Sequence, residues 1–221
     1  MVTQHSLRRT VRVSLRRCLA GVAALALAGG DGPRLLPGDG AAARPGGGAV
    51  TALTWYAVLL GLVVLERLAE LALSKRHAAW ALARGGVERG RGHYPPMVAL
   101  HSGLLIACLA EAWLLDREFL AWLGLPMLAV VLLAQALRWW CIATLGRQWN
   151  TRVIVVPGLP LVRRGPYRVL RHPNYVAVVA EGVALPLVHT SWITAVVFTL
   201  LNAWLLTARI RTEDAALDSV R

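Results

Sequence analysis

Five apolar runs separated by arginine-bearing gaps constrain this chain more than anything else in it. Residues 52–73, 94–115, 119–145, 173–188 and 191–210 are almost wholly apolar. Backbone N–H and C=O groups cannot go unpaired in hydrocarbon, so a run of about 20 apolar residues reads as a membrane-spanning helix. The fourth run is short and contains Pro186, so the last two are expected to form a tight hairpin. Composition agrees: only 16% of residues are charged, against about 25% in a soluble domain. The expected fold class is all-α integral membrane, with about five transmembrane helices and a cytoplasmic cofactor-binding segment before the fourth.

The net charge of +12 would suit nucleic acid or an anionic membrane surface. No nucleic-acid recognition motif accompanies it, and the arginines sit in the gaps between apolar runs, so the expected partner is the bilayer and not nucleic acid. Segment 74–93 holds Lys75, Arg76, Arg84, Arg89 and Arg91, and segment 146–171 holds six basic residues and no acid. The positive-inside rule assigns both to the cytoplasm and the turn at 116–118 to the outside. The expected location is the cell membrane, multi-pass.

Residues 1–50 differ from the rest. Five arginines (Arg8, Arg9, Arg12, Arg16, Arg17) precede a short apolar run ending Ala26-Leu27-Ala28, a signal-like pattern. Residues 29–50 are rich in Gly, Pro and Ala and read as a disordered linker. A start codon placed too early reads equally well. The expected organisation is a signal-like or low-complexity extension over 1–50 and a membrane domain over 51–217. Cys18, Cys108 and Cys141 lack paired spacing, so neither a disulfide framework nor a metal site is expected.

Ionisable residues inside spans are costly and mark either interhelical pairing or function. Glu66, Arg67 and Glu70 lie in the first run, His101 in the second, Arg138 in the third and Glu181 in the fourth. His101 reads best as a satisfied core histidine, and His189 as a solvated residue of the outer turn. In the fifth run Asn202, Arg209 and Glu213 stand at i, i+7 and i+11, which is one helix face. Before the fourth run come Gly165-Pro166-Tyr167 and Arg171-His172-Pro173-Asn174-Tyr175. Pro173 suits the first turn of a helix, and a polar cluster at a helix start beside a basic loop is a candidate ligand site.

Gly165-Pro166-Tyr167, Arg171-His172-Pro173-Asn174-Tyr175 and Arg209-Ile210-Arg211-Thr212-Glu213-Asp214 together resemble the isoprenylcysteine carboxyl methyltransferase family, over roughly residues 54–217. Further pieces are similar to a bacterial branch often encoded beside type III polyketide synthases. They are Glu66-Arg67 with Glu70-Leu71, Ser74-Lys75-Arg76, Gly85-Gly86-Val87-Glu88, His93-Tyr94-Pro95, Leu100-His101, Leu137-Arg138-Trp139-Trp140-Cys141-Ile142 and Gly146-Arg147-Gln148-Trp149-Asn150-Thr151. That branch is thought to methylate long-chain alkylpyrones or alkylresorcinols.

The resemblance implies a transferase that uses S-adenosylmethionine, bound in the C-terminal half, to methylate an oxygen of a lipid-like acceptor. It implies a cofactor pocket lined by Leu159, Pro160, Leu161, Val162, Tyr167, His172, Pro173, Asn174, Tyr175 and Glu213. Arg209 and Glu213 are its implied catalytic residues, Arg209 on the acceptor side. A hydroxyl acceptor must lose a proton, and Glu213, Glu181 and His101, in that order, are candidate bases. A functional link to a type III polyketide synthase follows from the branch. The R-H-P-N-Y element also resembles sterol-reductase-like NADPH enzymes, which carry more spans and a different tail. A non-catalytic lipid-binding membrane protein is the third reading.

Overall fold

The computed structural model describes residues 47–218. Within them lie five α-helices and one small sheet: α1 (Gly47–Leu82), β1 (Val87–Arg89), α2 (Tyr94–Leu114), α3 (Ala121–Leu145), β2 (Val153–Val155), α4 (Pro173–Leu187) and α5 (Trp192–Asp218). The expected extension over 1–50 lies outside the described residues except for its last four positions, which open α1.

α2, α3 and α5 are each long and apolar enough to cross a membrane, over Arg91–Leu114, Ala121–Gln148 and Trp192–Ala216. α4 has 15 residues, fewer than the roughly 20 that cross a bilayer, and α1 carries Glu66, Arg67 and Glu70. The outward faces are apolar in the manner of lipid-facing helices: Ile106, Trp113, Trp122, Leu133 and Trp204 are each more than two-thirds exposed, apart from Trp113 at 66%. A soluble monomer rarely leaves so much contiguous apolar surface uncovered.

The core packs Tyr56, Leu60 and Val63 of α1 with Leu104 and Cys108 of α2, Val131 of α3, Ala184 and Leu185 of α4 and Phe198 of α5. The Tyr56 hydroxyl donates to the Leu185 carbonyl at 3.0 Å, joining α1 to α4. α4 and α5 approach closely because Gly182 has no side chain; a Cβ there would overlap the Phe198 ring.

Two features depart from the sequence reading. The polar segment after the first apolar run is helical as far as Leu82, because Ser74, Ala78 and Ala81 recur at helical spacing and are buried. Beside the five helices there is also one small two-stranded sheet. β1 pairs antiparallel with β2 in the register Val87↔Val155, Glu88↔Ile154, Arg89↔Val153. The β-prone residues 153–155 find their partner in a strand of mixed composition, Val-Glu-Arg, that has no apolar alternation to announce it. The sheet holds the two arginine-rich segments together at one end of the bundle.

The midsection carries a polar cluster. Arg67 pairs with Glu70 (2.8 Å), Glu66 (3.3 Å) and Glu181 (3.5 Å). Arg138 pairs with Glu181 and faces Glu70 at 3.6 Å, while Gln135 and Trp139 donate to Glu66. The residues that the sequence left open between pairing and function are paired. His101 donates from Nδ1 to the Met97 carbonyl at 2.9 Å and stands edge-on to Phe198, as a satisfied core histidine does. His189 is not solvated: it is 2% exposed and lies against Tyr56 with ring centroids 5.0 Å apart. The turn between α4 and α5 folds inward, because Thr190 donates to the Glu118 carbonyl and Ser191 to the Cys108 carbonyl.

Candidate functional site

The site forms where the start of α4 meets the far end of α5. Pro173 occupies the first position of α4, where a missing N–H costs nothing. His172 precedes it in a non-helical conformation and makes no side-chain cap. Its ring turns instead to α5, with Nε2 3.1 Å from Asp214 Oδ1 and Nδ1 3.7 Å from Glu213 Oε1. One turn into α4, the Tyr175 hydroxyl donates to Glu213 and receives an N–H from Arg209 Nε at 2.9 Å. The His172 and Tyr175 rings stack with centroids 5.4 Å apart. Arg171 closes the chain by pairing with Asp214 at 3.0 Å.

Helical spacing explains the convergence. Arg209 and Glu213 are one turn apart on the inward face of α5, so both reach the same tyrosine. Asn202 and Arg209 are 5% and 8% exposed, which puts the polar stripe read from the sequence on the buried side. Burial disfavours the protonated form of His172, but the Glu213 and Asp214 carboxylates outweigh it and raise its pKa. Burial pushes the Tyr167 hydroxyl up, and the neighbouring Glu213 and Tyr175 push in the same direction. Tyr167 is therefore a neutral hydroxyl at the edge of the network.

Of the residues singled out in the sequence, His172, Tyr175, Arg209 and Glu213 share one connected network, with Tyr167 beside it. Asn174 lies next to it, its Oδ1 buried and without a hydrogen-bond partner. Leu159, Pro160, Leu161 and Val162 form an irregular stretch between β2 and the 3-10 turn Gly165–Arg168, outside the hydrogen-bonded network. Of the three candidate bases, Glu213 is taken up by Tyr175 and His172, Glu181 by Arg138, and His101 donates to Met97 from its own helix.

Sequence reasoning missed how Arg209 is held. Nη1 donates to Met97 Sδ at 3.1 Å and Nη2 to the Thr151 carbonyl. Thr151 is fixed in turn by Ser74, whose Oγ accepts the Thr151 N–H at 3.0 Å and donates to Asn150 Oδ1 at 2.9 Å. His77 adds a bond to the Trp149 carbonyl at 2.8 Å. The signal was present in Ser74 and Trp149-Asn150-Thr151, but only the pairing of the two segments shows that they buttress Arg209.

The residues fit a sulfonium cofactor. A molecule bearing sulfonium and ammonium cations would meet the Glu213 and Asp214 carboxylates and the ring of Tyr167, which attracts cations through its π-system; the Tyr175 ring is already stacked on His172 and faced by the Arg209 guanidinium. Asn174 Oδ1 supplies an acceptor whose partner is missing.

A family model described as "Isoprenylcysteine carboxyl methyltransferase (ICMT) family" matches residues 127–219, which include His172, Tyr175, Arg209 and Glu213. The chain is 36% identical over 160 residues to a Bacillus subtilis (strain 168) protein described as "Uncharacterized protein YpbQ", an alignment covering 72% of this chain and 95% of that one. It is 25% identical over 154 residues to an uncharacterized protein of Haemophilus influenzae, covering 68% and 88% respectively. No solved structure matches the chain.

Proposed function

Because the chain belongs to the isoprenylcysteine carboxyl methyltransferase family, we propose that it is a multi-pass membrane O-methyltransferase that transfers a methyl group from S-adenosylmethionine to a lipid-like acceptor. The observation that carries this reading is the single network joining His172, Tyr175, Arg209 and Glu213 across α4 and α5.

S-adenosylmethionine supplies an electrophilic methyl carbon when bound. The chain's own residues have three tasks. Glu213 and Asp214, with Tyr167, Asn174 and Tyr175, hold the cationic cofactor; Leu159, Pro160, Leu161, Val162, His172 and Pro173 complete the pocket wall. Tyr175 orients both Glu213 and Arg209, so cofactor and acceptor groups are placed by one side chain. Arg209 directs N–H groups at the acceptor oxygen, where charge-assisted bonds are strongest. In-line displacement needs little beyond alignment and exclusion of water, and effective molarities from alignment alone are large. The lipid tail reaches the site from the bilayer between helices, and the cofactor arrives from the cytoplasm.

The acceptor is an isoprenylcysteine-type carboxylate or a long-chain alkylpyrone or alkylresorcinol hydroxyl. The latter would link the protein to a type III polyketide synthase. Comparison of lipids from cells with and without the protein, fed methyl-labelled methionine, tests this. A labelled lipid one methylene heavier than its precursor, present only with the protein, is the expected result; identical labelled lipid profiles would contradict it.

A further inference from the structure

The turn that leads into α4 presents an apolar tip outside the cofactor network. Val169 is 79% exposed and Leu170 39%, and both lie outside the helices long enough to cross a membrane. Closed backbone holds them: their N–H groups donate to the Pro166 carbonyl at 3.3 and 3.0 Å, and Pro166 itself is buried. Gly165, with a φ of +54°, seats the turn on the C-terminal end of α3, since a Cβ there would lie 2.6 Å from Thr144 Oγ1 and 3.2 Å from Trp140 Nε1. Arg164 Nη2 adds a bond to the Thr144 carbonyl at 3.4 Å. The turn thus holds two apolar side chains outward while it packs beside Trp140, itself 55% exposed.

Arginines flank the tip. Segment 146–171 has six basic residues and no acid. Arg152 is drawn to Glu88 and Arg171 to Asp214. Among the described residues no carboxylate pairs with Arg163 or Arg168, and both are exposed. An apolar tip, an exposed indole and unpaired guanidinium groups suit successive depths of a bilayer surface. Valine and leucine gain by leaving water in proportion to the area covered, and an indole sits best at the headgroup level. A guanidinium makes charge-assisted, bidentate bonds to phosphate, and its aliphatic stem lies along apolar surface as it does so.

We propose that residues 163–170 form an interfacial anchor that binds anionic phospholipid. Val169 and Leu170 enter the acyl region, and Arg163 and Arg168 bind lipid phosphates. Two guanidinium groups without carboxylate partners favour a headgroup of net negative charge; a zwitterionic headgroup carries its own cation, which opposes them. The chain runs from this anchor straight into Arg171 and His172, both bound to Asp214 of α5, so the lipid contact borders the proposed cofactor network. The anchor rests on the chain's lying in a membrane and not on the reaction it performs.

The test uses the full chain in nanodiscs without any methyl donor. Spin-labelled phosphatidylglycerol and spin-labelled phosphatidylcholine report the preference for anionic lipid by the fraction of each held immobile at the protein. Wild type should prefer phosphatidylglycerol, and the preference should fall by up to about five-fold for each arginine removed in Arg163→Gln and Arg168→Gln. Lys75→Gln with Arg76→Gln removes the same charge from another exposed segment and should keep most of the preference. A nitroxide on Val169→Cys, in a chain with Cys18→Ser, should collide more with dissolved oxygen than with a water-soluble nickel chelate; Cys108 and Cys141 are buried and stay unlabelled. Equal binding of the two lipids by wild type, equal loss in the two charge-removed pairs, or a nitroxide open to the nickel chelate would each overturn the proposal, the last leaving the tip for a soluble partner. None of these readouts involves S-adenosylmethionine, so failure of the methyltransferase reading would leave them unchanged.

Discussion

In the proposed reaction Arg209 is the residue on which cofactor side and acceptor side meet, and it is held by Tyr175, Met97 and Thr151. Arg209→Ala should leave S-adenosylmethionine affinity close to wild type and slow turnover by about 10²–10³-fold, the usual cost of removing one donor to a reacting oxygen. Were Arg209 only a structural strut, cofactor binding and turnover would fall together with stability. His172 makes a prediction in pH. Its pKa is raised in the folded protein against burial, by Glu213 and Asp214. The folded state therefore holds the proton more tightly than the unfolded one. The resulting stabilisation is complete below about pH 6.5 and is lost as pH rises through the raised value. Thermal melts of wild type should decline across that interval, and His172→Gln should flatten the decline; parallel pH curves would remove His172 from the network. At this scale the sequence was informative about identity and silent about partners. The residues of the H-P-N-Y element and of the stripe on α5 could be named from spacing and resemblance. The contacts of Thr151 and Met97 with Arg209 could not, because they depend on a backbone carbonyl and a thioether sulfur that leave no periodic trace.

Helix α5 shows how an element is positioned from its remote end. Its first turn is capped from another helix: Glu111 of α2 accepts the N–H groups of Ile193 at 3.1 Å and Thr194 at 2.7 Å, and pairs with Arg117 at 2.9 Å. A carboxylate at a helix N-terminus satisfies donors that have no intrahelical partner and complements the helix dipole. Glu111→Ala should cost about 0.5–2 kcal/mol of stability, read as a lower melting temperature, with cofactor affinity unchanged because Glu213 lies at the opposite end. A loss of affinity without a loss of stability would contradict the assignment. Helix positions were legible from the apolar runs: α2, α3, α4 and α5 begin or end within a few residues of the expected limits. α1 ran further because its small buried residues continue the helical spacing beyond the apolar run. The sheet was half legible, since only the valine-rich strand carries a β pattern.

For the whole molecule, the proposed topology puts the arginine-rich segments on the cytoplasmic side, and β1 and β2 tie them together at one end of the bundle. Cysteines introduced at Arg84 and Arg163 should resist an impermeant thiol reagent in intact cells, and one at Asp116 should be labelled. Cys108 and Cys141 are buried and give little background. The reverse pattern would invert the topology and the route of cofactor entry. A chain beginning at Thr51 retains all of the site and should keep its activity. Loop charge carries the expected orientation, and the resemblance carries the expected site. The sequence does not name the acceptor, because apolar helix faces accommodate many tails. Isothermal titration of S-adenosylmethionine into the nanodisc-embedded protein and its Glu213→Gln variant tests the proposed function at its cofactor. Saturable binding by wild type, markedly weakened in Glu213→Gln while both proteins remain folded, is the expected result; no binding by wild type, or equal affinity in the two, would overturn the proposed function.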